Sequence, residues 1–491
     1  MNKFYITTPI YYANSLPHLG HIYATILGDT IARVHRLRGE KTFFLVGTDE
    51  HGAKIQEVAN RSGKESQKFV DDIATEFKKA WKHLQIANDN FIRTTDSTHI
   101  TVVQKALLYL YERGDIYKGF HEGLYCVGCE QFKNENDLVN GLCPDHRRVP
   151  VVMKEESYLF RLSKYQNAIL KKIKSNELQI IPATRKNEVI SFYEQEGLKD
   201  ISFSRKNVSW GVPIPWDRSH TAYVWADAFL SYLTGIGWDG RSGSVPEFWP
   251  ADVHLMAKDI LRVHATIWPA MLLALDLPLP RILLIHGLFL VEGEKMSKTL
   301  GNVVDPLVLE KKYGADVVRY FLLREVPLGK DGDFSYKKLE ERYNGDLANG
   351  LGNLVSRVAT LIENNMDGEL TYDSKKLEFK VLEQQNYDEA IWEFRLHDAL
   401  GEVWKIVAQA NQYIDEQKPW VQVRENPKEF LETLTSLVAM IHNIAWSLQP
   451  FLPETSNKIA QIFGDDLSEK EIPDSYHLVV KKGEPLFPRI K

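Results

Sequence analysis

The sequence predicts an α/β protein: a doubly wound parallel sheet, interrupted by a small cysteine-bearing insertion and followed by an α-helical bundle. Three observations predict it. Short apolar runs at Phe4 to Thr8 and Thr42 to Val46 alternate with stretches of helical periodicity, and that alternation builds βαβ units with parallel strands. All three cysteines fall in one window, between Gly114 and Thr221, where the alternation turns irregular. From Leu339 to about Phe463 apolar residues such as Leu347, Leu351, Leu354 and Val358 recur at helical spacing and little reads as strand, the pattern of a bundle.

The chain has 491 residues, 44% of them apolar, enough for sizeable cores and, on length alone, about three domains. Met1-Asn2-Lys3 leads straight into the first strand with no leader pattern, and no window has the length of a membrane span, so a cytoplasmic protein is expected. Three cysteines cannot build a disulfide framework, which fits a reducing compartment. A net charge of −6 argues against nonspecific nucleic-acid binding. It permits local basic patches such as Lys171, Lys172 and Lys174, so an RNA partner would be held by shape and specific contacts.

The first strand ends at Tyr12-Ala13-Asn14-Ser15-Leu16-Pro17-His18-Leu19-Gly20-His21, and a helical pattern (Ile22, Ile26, Ile31, Val34) follows. A helix N-terminus presents orphan N–H groups and partial positive charge, and His18 and His21 add side-chain donors. The expected ligand is a phosphate chain. Doubly wound sheets bind ligands beyond the carboxyl ends of their strands. Gly47-Thr48-Asp49-Glu50-His51-Gly52 falls at that edge, where it reads either as a turn or as a site. Asp49 is a candidate for an amino group or ribose, and Glu50 and His51 are expected to line only the rim.

Between Gly114 and Thr221 stand Cys126-Val127-Gly128-Cys129 and Cys143-Pro144-Asp145-His146. Two such knuckles meet the tetrahedral demand of zinc, with Cys126, Cys129, Cys143 and His146 as four ligands and no open position for water. The expected role is structural, stabilising an insertion with too small a core of its own. The sheet is expected to resume at Thr221 to Ala228, then at Val253 to Met256 and Ile282 to Ile285. Ile260, His264 and Trp268 share one helix face, and with Trp225, Tyr232 and Tyr12 they would form an aromatic pocket beside the phosphate site. Lys295-Met296-Ser297-Lys298-Thr299, followed by Gly301, suits a mobile loop closing on polyphosphate. Asp305 to Leu322 reads as one helix, and Asp331 to Phe334 as a polar connection. Gly345, Gly350 and Gly352 punctuate the first bundle helix, and the tail from Glu471 to Lys491 is expected to pack back on the other domains.

The Tyr12 to His21 stretch and the lysine loop, in this order, resemble the paired signature motifs of class I aminoacyl-tRNA synthetases. With Asp49 to Gly52, the knuckle pair, Tyr223 to Ala228, and Ile260 with His264 and Trp268, nearly the whole chain resembles the bacterial-type methionyl-tRNA synthetase family. The resemblance implies a Rossmann-like catalytic domain in two halves, 1–113 and 222–300, around a zinc-binding insertion at 114–221. A stem-contacting segment at 301–345, entered through the lysine loop, leads to an anticodon-binding bundle at 346–470 and a tail at 471–491.

On that resemblance the activity is ATP-dependent activation of methionine to methionyl adenylate, with Mg2+, and transfer to tRNA(Met), initiator tRNA included. His18, Gly20, His21, Lys295, Ser297 and Lys298 would handle ATP, with both histidines and both lysines catalytic. Asp49 would hold the methionine ammonium. Ile10, Tyr12, Trp225, Ala228, Tyr232, Ile260, His264 and Trp268 would form its pocket. Asn353, Arg357 and Trp420 would read the anticodon, Trp420 by stacking. Pro9, Phe229 and Thr299 depart from the family pattern, and the first two would reshape the pocket edge. No appended C-terminal tRNA-binding domain follows the bundle, so a monomer is expected.

Three rival readings share parts of this pattern. Isoleucine, valine or leucine enzymes of the same class would share both signatures, but an insertion of about one hundred residues looks short for their editing domain. A small nucleotidyltransferase would not need the bundle, and a noncatalytic tRNA-binding relative would not need both histidines and both lysines.

Overall fold

The computed structural model describes residues 2–128, 131–133, 138–144, 146–206, 208–296, 301–373, 384–468 and 475–490. The chain divides into two compact units, one of 1–82 with 86–286 and one of 83–85 with 287–491.

The first unit is built on the expected parallel sheet. Its strands lie in the order Tyr11–Tyr12, Lys41–Asp49, Lys3–Thr7, Val253–Ala257, Ile282–His286 and Gln179–Ile181, with Asn90–Arg93 also paired to Lys41–Asp49. Phe4 to Thr7 and Phe44 to Asp49 are buried at every position, as strands covered on both faces must be. Ile6 stands opposite Val253 and Thr7 opposite His254, so the two halves of the sequence meet at the centre of one sheet. Helices Leu19–Leu37 and Ser97–Glu112 each bury an apolar stripe. Gln179–Ile181, which falls within 114–221, pairs with Ile282–His286. The rest of that window forms an antiparallel sheet in the order Gln131–Lys133, Ile116–Cys126, Val151–Phe160 and Ile201–Ser202.

Two sequence expectations are corrected here. Thr221–Ala222 pairs with Ser204–Arg205 outside the parallel sheet, and Val224–Ala228 is a short helix rather than the next strand. Tyr, Val and Trp favour strand locally, but the burial of Asp227 against two histidines overrides that preference. The second strand also continues to Asp49, so Gly47 to Asp49 are extended rather than a turn. Gly47 is glycine because a Cβ there would come within 2.2 Å of the Ile92 carbonyl oxygen.

In the second unit, Phe289–Val291 pairs antiparallel with Glu294–Lys295 and parallel with Gly332–Phe334. The segment read as a polar connection is therefore partly a strand. The helix expected from Asp305 to Leu322 is two, Pro306–Tyr313 and Ala315–Glu325. Gly314 breaks it at φ +90°, a conformation that other residues rarely adopt. Tyr343–Gly352, which holds the three glycines, is wound as a π-helix before Asn353–Asn365 continues as α-helix. Gln384–Trp392, Leu396–Gln417, Pro419–Glu425, Pro427–Leu448 and Pro453–Phe463 continue the bundle. In the tail, Ser475–Val479 pairs with Glu369–Asp373, and Tyr343 Oη donates to the Pro488 carbonyl at 2.7 Å. Among the described residues no helix is long and apolar enough to cross a membrane.

Candidate functional site

His18 is the N-cap of helix Leu19–Leu37 and His21 its third residue. The Gly20 N–H donates to His18 Nδ1 at 3.1 Å, and the His18 N–H donates to His21 Nδ1 at 3.2 Å. Two orphan donors of the helix start are thereby satisfied by side chains, the reciprocal logic of a capping box. With Nδ1 accepting in both rings, each neutral imidazole carries its proton on Nε2, the nitrogen suited to donate to an anion. The rings stack with centroids 3.7 Å apart. Removal from water and then His18 hold His21 well below its ordinary value, so its ring stays neutral at pH 7 and acts as a donor without a formal charge.

The turn before this helix is tied to the end of the second strand, since the Ala13 N–H donates to the Asp49 carbonyl at 2.8 Å. Asp49 is buried. Glu50 and His51, expected at the rim, are buried too, because each has an ionic partner inside. Arg93 grips Glu50 with two bonds of 2.8 and 2.9 Å, and Thr48 and Thr95 also donate to that carboxylate. Burial opposes the Arg93 charge, yet Glu50 and Asp71 hold its pKa above the ordinary value. His51 Nδ1 lies 2.7 Å from Asp227, and His99 Nε2 lies 2.8 Å from the other oxygen of the same carboxylate. Burial works against the Asp227 charge, but the two rings hold its pKa down at about 2. This knot fixes helix Val224–Ala228 against the strand end that carries Asp49.

Trp225 and Ala228 sit on that helix, with Trp225 half-buried and Ala228 buried. The Trp225 ring lies 6.2 Å from His264, edge-on. Tyr232 and Trp268 are buried 5.8 Å apart, and Ile10 and Ile260 are half-buried against the same core. Tyr12, also half-buried, pairs in register with Asp49. His264 Nδ1 lies 2.8 Å from the Ile260 carbonyl, which can only accept, so the proton is on Nδ1. Nε2 then accepts from Tyr232 Oη at 2.9 Å. Burial lowers the His264 pKa to about 4, with the Ile260 carbonyl working the other way. Phe229 stacks on Trp268 at 5.6 Å and lies nearly perpendicular to the His264 ring at 4.9 Å, so this departure from the family pattern helps to build the aromatic wall.

Sequence reasoning missed Arg93, His99, Asp227 and His254 as organisers of this region. The signal was present: a polar residue inside an apolar run, as His254 is between Val253 and Leu255, is buried only when it is bonded.

Cys126, at the end of strand Ile116–Cys126, meets Cys143 and His146 from the connection before Val151–Phe160, with three ligand atoms within 4.8 Å of one another. A Cβ at Gly128 would stand 2.4 Å from the His146 ring, so the knuckle closes over the cluster only with glycine there. The donors fit a tetrahedral thiolate and imidazole site. Cys129 lies outside the described residues.

Ser297 and Lys298, with Thr299, also lie outside them. The backbone at Lys295 belongs to strand Glu294–Lys295. In the bundle, Asn353 is exposed at the start of its helix and Arg357 follows one turn later. The Trp420 side chain is 47% exposed, so it is no part of the bundle core. The Arg357 guanidinium stands 5.8 Å from the Trp420 ring centre and donates to Asp415 at 2.6 Å.

Comparison with known proteins places these features. Residues 4–149 and 146–359 match the model described as tRNA synthetases class I (M). Residues 367–483 match the anticodon binding domain of methionyl tRNA ligase. The methionine–tRNA ligase of Clostridium acetobutylicum is 44% identical over 99% of this chain and 78% of that protein. That of Thermotoga maritima is 42% identical over 99% of this chain and 80% of its own. Among solved structures, Mycobacterium tuberculosis methionyl-tRNA synthetase in complex with methionyl-adenylate is 36% identical. It covers all of both chains at a TM-score of 0.93.

Proposed function

Because the chain belongs to the methionyl-tRNA synthetase family, we propose how its own residues divide the work of a methionine–tRNA ligase. The enzyme activates methionine with ATP and charges tRNA. A methionine carboxylate oxygen attacks the α-phosphorus, the bond to the bridging oxygen breaks, and pyrophosphate leaves with that electron pair. A hydroxyl of the tRNA terminal ribose then attacks the adenylate carbonyl and releases AMP.

In the first step negative charge builds on the phosphates, so donors aimed there accelerate it. His18 and His21 supply Nε2–H groups and Gly20 the helix N-terminus. Lys295, Ser297 and Lys298 answer the charge that gathers on pyrophosphate, with Mg2+ bound to the ATP. Asp49 pairs with the substrate ammonium. Ile10, Tyr12, Trp225, Ala228, Tyr232, Ile260, His264 and Trp268 enclose the thioether, whose polarizable sulfur gains from aromatic contact. The ordering of both imidazoles by backbone N–H groups, beside the strand end that carries Asp49, is the observation that supports this reading most.

Cys126, Cys129, Cys143 and His146 hold one structural zinc ion, which stabilises the knuckles and takes no part in the chemistry. Asn353, Arg357 and Trp420 read the CAU anticodon of elongator and initiator tRNA(Met) alike, the exposed indole stacking on a base and the other two reaching base edges. ATP–pyrophosphate exchange across the twenty amino acids tests the reading: methionine alone should support rapid exchange, and equal exchange with isoleucine, valine or leucine would refute the pocket assignment.

A further inference from the structure

His254 takes no part in the mechanism above, yet it is buried on the central strand of the sheet with both ring nitrogens engaged. Trp268 Nε1–H donates to His254 Nε2 at 3.1 Å. His254 Nδ1 lies 2.7 Å from Thr7 Oγ1. An indole N–H only donates, so Nε2 must accept and the proton of the neutral ring is on Nδ1, where it donates to Thr7. All three residues are 1% exposed or less. Thr7 and His254 are register partners on adjacent parallel strands in the middle of the sheet, so the relay starts from paired, buried backbone. The His254 ring also packs on Tyr232, with centroids 4.6 Å apart.

We propose that His254, anchored by Thr7, is a positioning residue for methionine specificity: it fixes the indole plane of Trp268 and so the depth of the side-chain pocket. This rests on the assignment of Trp268 to that pocket. A tryptophan held only by packing can rotate about two side-chain torsions, whereas an N–H bonded to a fixed ring acceptor selects one orientation. His264 carries the same tautomer, with its proton on Nδ1 towards the Ile260 carbonyl and Nε2 accepting from Tyr232. Two neutral histidines thereby set two aromatic walls, one through an indole and one through a phenol. Burial, and then His264, hold His254 well below its ordinary pKa, which keeps it an acceptor.

The test is the methionine dependence of pyrophosphate exchange. His254→Leu leaves the indole N–H without an acceptor, and loss of one buried bond of this kind should raise KM for methionine about tenfold. KM for ATP should hold within about twofold. His254→Gln offers one acceptor and one donor in place of the two nitrogens, so it should recover most of the methionine KM. Thr7→Val, remote from the pocket and close in shape, should raise that KM about threefold, and it carries the test if His254→Leu yields no folded enzyme. Equal changes in both KM values, no rescue by glutamine, or an unchanged methionine KM in Thr7→Val would overturn the relay. Trp268→Ala separates the two levels. If it raises the methionine KM while the His254 and Thr7 variants do not, the relay fails and the pocket stands; if it has no effect on methionine, the pocket assignment itself fails.

Discussion

His18 has two jobs in the structure, and one substitution separates them. As N-cap it accepts the Gly20 N–H on Nδ1; as proposed phosphate ligand it donates from Nε2. Asparagine is among the best N-caps and can keep the first bond, but its amide is too short to reach where Nε2 lies. Alanine keeps neither. A lost cap costs about 1 kcal/mol, which in a unit of this size lowers Tm by roughly 2–4 °C. A lost donor to developing phosphate charge costs about 100- to 1,000-fold in rate. His18→Ala should therefore show both defects, and His18→Asn only the second. The assay pairs calorimetric melting with rapid-quench measurement of methionyl adenylate formation at saturating methionine. If His18→Asn restores activation along with Tm, the histidine is a cap and the phosphate role is refuted. If both variants melt like the wild type, the cap reading fails instead.

Trp420→Ala should lower aminoacylation of a CAU-anticodon tRNA by about one to two orders of magnitude, from stacking worth roughly 1–3 kcal/mol per base. Pyrophosphate exchange and Tm should hold, because the ring is 47% exposed; a parallel loss in both assays would remove the anticodon role. Cys126→Ala should release the metal and loosen residues of about 120 to 150 with only partial loss of activation, which zinc analysis and hydrogen exchange would read. Wild-type enzyme with no zinc and freely reactive thiols would contradict it. His264, lowered from 6.5 to about 4, binds its proton less readily folded than unfolded. Stability should therefore fall as pH drops from 6.5 towards 4, by about 3 kcal/mol from this ring. His264→Asn should make denaturant-derived stability less steep in that window by up to one proton, and an unchanged slope would contradict the burial of a neutral ring.

The parallel strands were legible because a strand covered on both faces is largely apolar, and Phe4 to Ile6 and Ile282 to Ile285 show that directly, with His254 the one polar residue between Val253 and Met256. The helix start was legible because a helical pattern follows the turn at Pro17 and His18, but that His18 caps it through Nδ1 was not. What the sequence hid is set by tertiary pairing. Nothing local distinguishes Tyr223 to Ala228 from a strand, since its helix depends on His51 and His99, far away in the chain. Glu50 looked like a rim residue because its partner, Arg93, comes from another strand. The break at Gly314 is a matter of one positive φ angle, and glycine within a helical pattern signals it only weakly. His254 and Thr7 meet because strands 247 residues apart pair in register.

The account turns on where one ligand lies, so its most direct test is a crystal structure with a non-hydrolysable methionyl-adenylate analogue. The account predicts the ammonium within hydrogen-bond distance of the Asp49 carboxylate, the thioether between Trp225, Tyr232, His264 and Trp268, and the phosphate mimic within reach of Nε2 of His18 or His21. An analogue bound with its side chain outside that aromatic pocket, or with its phosphate mimic away from both histidines, would contradict it.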